Sequence, residues 1–181
     1  CSYKYLNGGP GAIAGCFIHE KHGKNFSLPR FAGWWGHNKE TRFKLPAQFD
    51  VLAGAEGWQL SNPPILLLAC LRASLDIFYS ATMQAIEKKR NLLTGYLEFL
   101  LQDLPENLSQ ITPKDPKQRG AQLSFRFQGQ AQNIVNKLKE DGIYCDFREP
   151  DIIRIAAAPL YSRFIDVFEF CNTFKAYVNK K

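Results

Sequence analysis

An α/β chain built in two parts is what this sequence predicts, and three observations predict it. An apolar opening that carries one lysine breaks into a run of glycines. Two helical stretches follow a proline-marked start near the middle, and strands alternate with helices after Pro105. At 181 residues, with 45% apolar and 22% charged side chains, the chain has the composition of a folded globular protein.

The first element is Ser2-Tyr3-Lys4-Tyr5-Leu6, a strand-like run that ends at Asn7-Gly8-Gly9-Pro10-Gly11. Ala12 to Glu20 is apolar and β-rich and predicts a second, buried strand, with His19 as a structural histidine inside it. Lys21 to Arg30 is a polar loop, and Gly33-Trp34-Trp35-Gly36-His37 is an aromatic cluster bracketed by glycines. Leu45 to Gly57 is irregular or a short strand. Ser61-Asn62-Pro63-Pro64 marks a helix start, with a polar cap and then proline in the first turn, where its missing N–H costs nothing. One helix is therefore expected from Pro64 to Tyr79. A longer one is expected from Ala81 to Leu104, with Ile86, Leu93, Leu97, Leu100 and Leu101 as its apolar stripe and Pro105 as its stop.

After Pro105 the pattern shortens. Leu108–Thr112 is a short strand and Pro113–Gly120 a loop. Gln122–Phe127 alternates as a half-buried strand does, and Gln130–Asp141 is a helix closed by Gly142. Ile143–Phe147 and Ile152–Ala157 are strands, and Arg163–Asn179 is an amphipathic terminal helix.

Net charge is +6, from 23 basic and 17 acidic residues. The basic residues are dispersed, with Lys88-Lys89-Arg90 and Lys180-Lys181 the densest groups, so a nucleic-acid footprint is not expected. The longest apolar run, Pro63 to Leu71, is followed by Arg72 and Asp76, which leaves no span long enough to cross a bilayer. The five cysteines are odd in number, far apart and form no CxxC pair, so reduced, buried thiols are expected. Three histidines without cysteine pairs suggest no metal site. The chain opens without methionine and is expected to be the latter part of something longer.

Lys4 is the first candidate for chemistry. An amine between two tyrosines can be desolvated, and a neutral amine attacks carbonyls; the alternative is a lysine reaching to solvent from a strand edge. Trp34, Trp35 and His37 either wall a ligand site or pack a loop. Ser61 and Asn62 are helix caps whose position also suits an anion. Arg154 interrupts an apolar strand, so it lies on a solvated face or grips a carboxylate with both prongs.

Taken together, SYKYLNGGPGAIAGCFIHEKH, GWWGH, Glu40-Thr41-Arg42-Phe43, SNPPILL, Arg119-Gly120-Ala121-Gln122-Leu123 and IRIAAAPLYSRF closely resemble kynureninase. The resemblance covers essentially the whole chain. It implies the C-terminal part of a pyridoxal-phosphate-dependent, aspartate-aminotransferase-like (fold type I) large domain over residues 1–80. A connecting helix over 81–104 and a small α+β domain over 105–181 would follow. It implies pyridoxal 5'-phosphate as cofactor and hydrolysis of kynurenine or 3-hydroxykynurenine, by Cβ–Cγ cleavage, to the anthranilate and alanine. It places Lys4 as the cofactor's Schiff-base anchor, Tyr3 on the cofactor phosphate and in proton transfer, and Trp34 and Asn62 at the cofactor. Arg154 falls on the substrate carboxylate, and His37 and Ser61 near its aromatic ring. A cytoplasmic homodimer in tryptophan catabolism and NAD biosynthesis, with no metal, nucleic acid or membrane partner, follows from the same resemblance. The elements that would hold the pyridine nitrogen and stack on its ring are missing from the chain, so residues 1–181 alone are expected to be inactive. Another enzyme of the fold, such as a cysteine desulfurase or aminotransferase, and a non-enzymatic binding module are the competing readings.

Overall fold

The computed structural model describes residues 1–179 and divides at Ser80 into two units. The Lys180-Lys181 pair lies outside the described residues. The N-terminal unit holds a one-turn helix α1 (Glu20–Gly23), three 3-10 turns (Trp34–Gly36, Arg42–Lys44, Ala55–Trp58) and the helix α2 (Ile65–Ala81). Tight turns take up the glycine run: Asn7 N–H donates to the Lys4 carbonyl at 2.8 Å and Gly8 N–H to the Ser2 carbonyl at 3.0 Å. Gly9 and Gly11, with φ near +80°, take the left-handed backbone that other residues avoid. The Ser74 hydroxyl on α2 donates to the Leu6 carbonyl, which ties this turn to the helix.

The two strands expected at the start are not formed. Residues 1–19 carry no strand, Phe17 is exposed, and His19 is exposed and caps α1 by accepting from Lys21 N–H at 3.2 Å. A strand fills its N–H and C=O groups only beside another strand. Among the described residues of this unit the pairing present is the single His37–Val51 bridge. The burial expected of the cysteines fails with it in this unit: all five are free, but Cys1, Cys16 and Cys70 are exposed. Nor do Ser61 and Asn62 cap α2. Its first N–H to pair, that of Leu68, donates to the Pro64 carbonyl, and the Asn62 side chain is engaged elsewhere.

In the C-terminal unit α3 (Met83–Leu100) starts at Thr82, whose hydroxyl accepts from Ala85 N–H at 3.3 Å. The helical stretch ends near Leu101, before Pro105. Four antiparallel strands follow in the order β1-β2-β4-β3: β1 (Leu108–Gln110), β2 (Gln122–Phe127), β3 (Asp146–Arg148) and β4 (Ile152–Ala156). Helices α4 (Ala131–Glu140) and α5 (Phe164–Val178) complete the unit. Alternation decides the faces. Leu123, Phe125 and Phe127 of β2 and Ile153 and Ile155 of β4 point into the core, where they meet Leu93 and Leu97 of α3, Ile134 and Leu138 of α4 and Phe174 of α5. The helix before Pro105 is thus packed into this unit through its Leu93–Leu97–Leu101 stripe. Gly142 at φ +78° closes α4, and Ile143 N–H bonds back to the Leu138 carbonyl at 2.8 Å.

The ion pair Arg119–Glu98 staples the β1–β2 loop to α3. Arg119 is buried, and Arg90 donates to its carbonyl at 2.7 Å. Burial raises the Glu98 carboxyl, but the hydrogen bonds from Arg119 and Gln110 and the Arg119 charge outweigh it and hold the group below its ordinary range.

Candidate functional site

Lys4 sits in the bend that the glycine turn fixes. It is exposed, and its ammonium lies 5.3 Å from the centre of the Tyr3 ring. Neither Lys4 Nζ nor the Tyr3 hydroxyl makes an ion pair or hydrogen bond among the described residues. An amine with no carboxylate beside it, a free phenol O–H and a rigid turn are the parts that a carbonyl-bearing, anionic ligand would use.

The aromatic loop is built from Gly33 to Phe43. At Gly33 and Gly36 a side chain would run into the backbone of Leu60 and Gly57, so the two strands of chain can meet only where these residues are glycine. Trp34 is half-exposed and packs edge-on against Phe43 at 5.1 Å, with its indole N–H free among the described residues. The Trp35 Nε1–H donates to Asn62 Oδ1. A cavity of about 560 Å³ opens beside this pair, between Lys39, Gln59, Pro63 and Ile65. His37 is buried against Phe49, with Nε2 3.1 Å from the Thr41 hydroxyl, which donates to Asp50. Ser61 is exposed at the edge of a neighbouring cavity lined by Ile13, Cys16 and Trp58.

Arg154 belongs to the C-terminal unit. Its strand places it on the sheet face opposite the core, in register with Asp146 of β3 and Ser124 of β2. On that face one guanidinium nitrogen of Arg154 pairs with Asp146, and Arg148 reaches the same carboxylate at 3.2 Å, so the side chain makes no two-pronged grip among the described residues. The Arg154 Nε is buried with no hydrogen-bond partner, a donor open to a further acceptor.

Lys4, Tyr3, Trp34, His37, Ser61 and Asn62 thus share the N-terminal unit, and Arg154 stands in the other. Two residues join them that had no role in the sequence, Asp146, which pairs with Arg154, and buried Arg42, which lies across the Trp35 ring at 4.7 Å; Trp35, open between a ligand wall and loop packing, holds Asn62. The signal for Asp146 was present in the short spacing to Arg154 across a hairpin; that for Arg42 lay only in a motif quoted without a function. The thiols offer no rival nucleophile in the C-terminal unit. Burial pushes Cys145 up to about 11 and Cys171 up to about 12, which leaves both protonated at neutral pH.

Residues 86–174 match the kynureninase C-terminal domain. The chain is 58% identical to the kynureninase of Myxococcus xanthus (strain DK1622) over 181 residues, which cover 99% of this chain and 42% of that protein. It is 53% identical over 180 residues to that of Koribacter versatilis (strain Ellin345), covering 99% and 42%. It therefore spans about 42% of the length of these relatives. Among solved structures, the apo cysteine desulfurase of Thermococcus onnurineus NA1 superposes with a TM-score of 0.69 at 15% identity, over 89% of this chain and 42% of that one. A C-DES mutant with glycine covalently linked to its PLP cofactor superposes with a TM-score of 0.67 at 17% identity, over 87% and 40%. The likeness shows the fold, that of the fold type I PLP-dependent enzymes.

Proposed function

We propose that this chain, whose residues 86–174 match the kynureninase C-terminal domain, forms the C-terminal part of a PLP-dependent kynureninase. The reaction would be hydrolysis of kynurenine, or its 3-hydroxy form, to the anthranilate and alanine. The observation that carries the reading is the 58% identity over 99% of the chain, against 15–17% for the desulfurase-like structures.

The side chains fit the cofactor by their donor chemistry: a primary amine without a carboxylate partner, a free phenol and two nitrogen donors at Trp34 and Asn62. Pyridoxal phosphate, when bound, supplies an aldehyde for amines and an electron sink for carbon–carbon cleavage. Lys4 Nζ would hold that aldehyde before substrate arrives and afterwards take the proton from the substrate Cα. The Tyr3 hydroxyl would donate to the phosphate and assist in moving protons, and the Trp34 indole N–H and Asn62 amide would orient the ring. Arg154 would fix the substrate α-carboxylate through its open Nε edge, so that the breaking bond is held in one orientation. His37 and Ser61 would meet the aromatic ring. We place the enzyme in the cytoplasm as a homodimer, and expect residues 1–181 alone to be inactive.

The test is the full-length protein with pyridoxal phosphate and kynurenine, followed by anthranilate fluorescence. Anthranilate should form with the intact enzyme and fall to background in Lys4→Ala. Sulfur release from cysteine with no anthranilate would overturn the proposal in favour of a desulfurase.

A further inference from the structure

We propose that Trp35 is a positioning residue: its indole N–H pins the Asn62 amide by the oxygen, so that the amide presents its N–H donors to an oxygen acceptor on the bound ligand. The chemistry of the pair fixes this orientation. An indole Nε1–H can only donate, so the Asn62 atom that meets it must be Oδ1. The NH2 group is then turned away from Trp35, and it makes no hydrogen bond among the described residues. Asn62 is exposed, and the terminal torsion of an exposed asparagine is otherwise broad, with either end of the amide free to face a ligand. One hydrogen bond to a rigid donor removes that freedom.

The donor is itself held. Arg42 lies over the Trp35 ring at 4.7 Å, and its Nη2 donates to the Trp35 carbonyl at 3.3 Å and the His37 carbonyl at 2.9 Å. Arg42 is 6% exposed and pairs with no carboxylate among the described residues. The indole face and two carbonyls are what its charge has in place of one. The chain Arg42–Trp35–Asn62 therefore runs from a buried cation to the wall of the 560 Å³ cavity. It gives the second tryptophan contacts of its own, separate from the Trp34–Phe43 pair. The ligand's identity rests on the reading above; the orientation of the amide does not.

The experiment separates the two. In the full-length protein without ligand, the indole N–H resonance that vanishes in Trp35→Phe should move upfield in Asn62→Ala. An unmoved resonance overturns the proposal, whatever the enzyme's substrate. With pyridoxal phosphate and kynurenine, Trp35→Phe should weaken cofactor retention or raise KM about 10-fold, the loss of one hydrogen bond's orientation. Arg42→Lys should do so about 3-fold, because the charge stays while the planar stacking goes. In the Asn62→Ala background, Trp35→Phe should add nothing. A full additional loss there would mean that Trp35 only supports the loop, and would overturn the assignment. If Trp35→Phe fails to fold, sequential assignment identifies the Trp35 indole resonance, and Asn62→Ala, at an exposed site, still reads it.

Discussion

The two units bury opposite kinds of residue. Every buried apolar side chain among the described residues lies in the C-terminal unit, from Leu93 to Val178. In the N-terminal unit the buried positions are glycines and the polar side chains Ser2, His37, Arg42 and Ser74, while Phe17, Phe31, Phe43, Leu45 and Leu66 are exposed. One unit is a packed core that holds a single site arginine. The other is a scaffold of turns and hydrogen bonds that carries most of the candidate site. Stability and chemistry are concentrated in different halves, and each half should answer differently to mutation.

The largest effect expected is on folding itself. Residues 81–181 expressed alone should unfold in one cooperative transition, since sheet and helices share one core, whereas residues 1–80 alone should show none. A cooperative melt from residues 1–80 would break the comparison. Within the core, Phe174→Ala should cost about 4 kcal/mol and Leu97→Ala about 3 kcal/mol in denaturant titrations, because both side chains are fully enclosed.

The same contrast governs how much was legible beforehand. In the C-terminal unit, the alternation of Gln122–Phe127 and the glycine after Asp141 name their elements because the partners that bury those faces follow within the same unit. In the N-terminal unit, Ala12–Glu20 has the composition of a buried strand, but pairing is a property of neighbours and these residues have none here. Lys4, Trp34 and Asn62 could be singled out from residue type and resemblance. The Trp35–Asn62 bond could not, because Asn62 reads equally well as a cap, and only the fold of the loop shows which donor it meets. Arg154 was open between a solvated face and a carboxylate; the register puts it opposite the core and beside Asp146, a neighbour that the strand pairing reveals.

A middle-sized effect should come from the Arg119–Glu98 staple. Glu98→Gln should cost about 2 kcal/mol, less than a fully enclosed pair, since Glu98 keeps a quarter of its side-chain exposure. The sign with pH follows from the lowered carboxyl. A group whose folded pKa lies below its unfolded value adds stability above the unfolded value, and the addition is lost as pH falls through the folded one. Acid titration of the parent should show that loss below the ordinary carboxylate range, and Glu98→Gln should flatten it.

The smallest effect should fall on the apolar surface of the N-terminal unit. In residues 1–181, Leu66→Gln should change stability by less than about 0.5 kcal/mol, as for an exposed site. A larger loss would show that this face is covered.

The proposal on which the others rest is that Lys4 anchors the cofactor. Borohydride reduction of the full-length protein with pyridoxal phosphate bound, followed by peptide mapping, tests it most directly. The reduced pyridoxyl group is expected on Lys4 and on no other lysine. A label on a different lysine, with Lys4 unmodified, would contradict it.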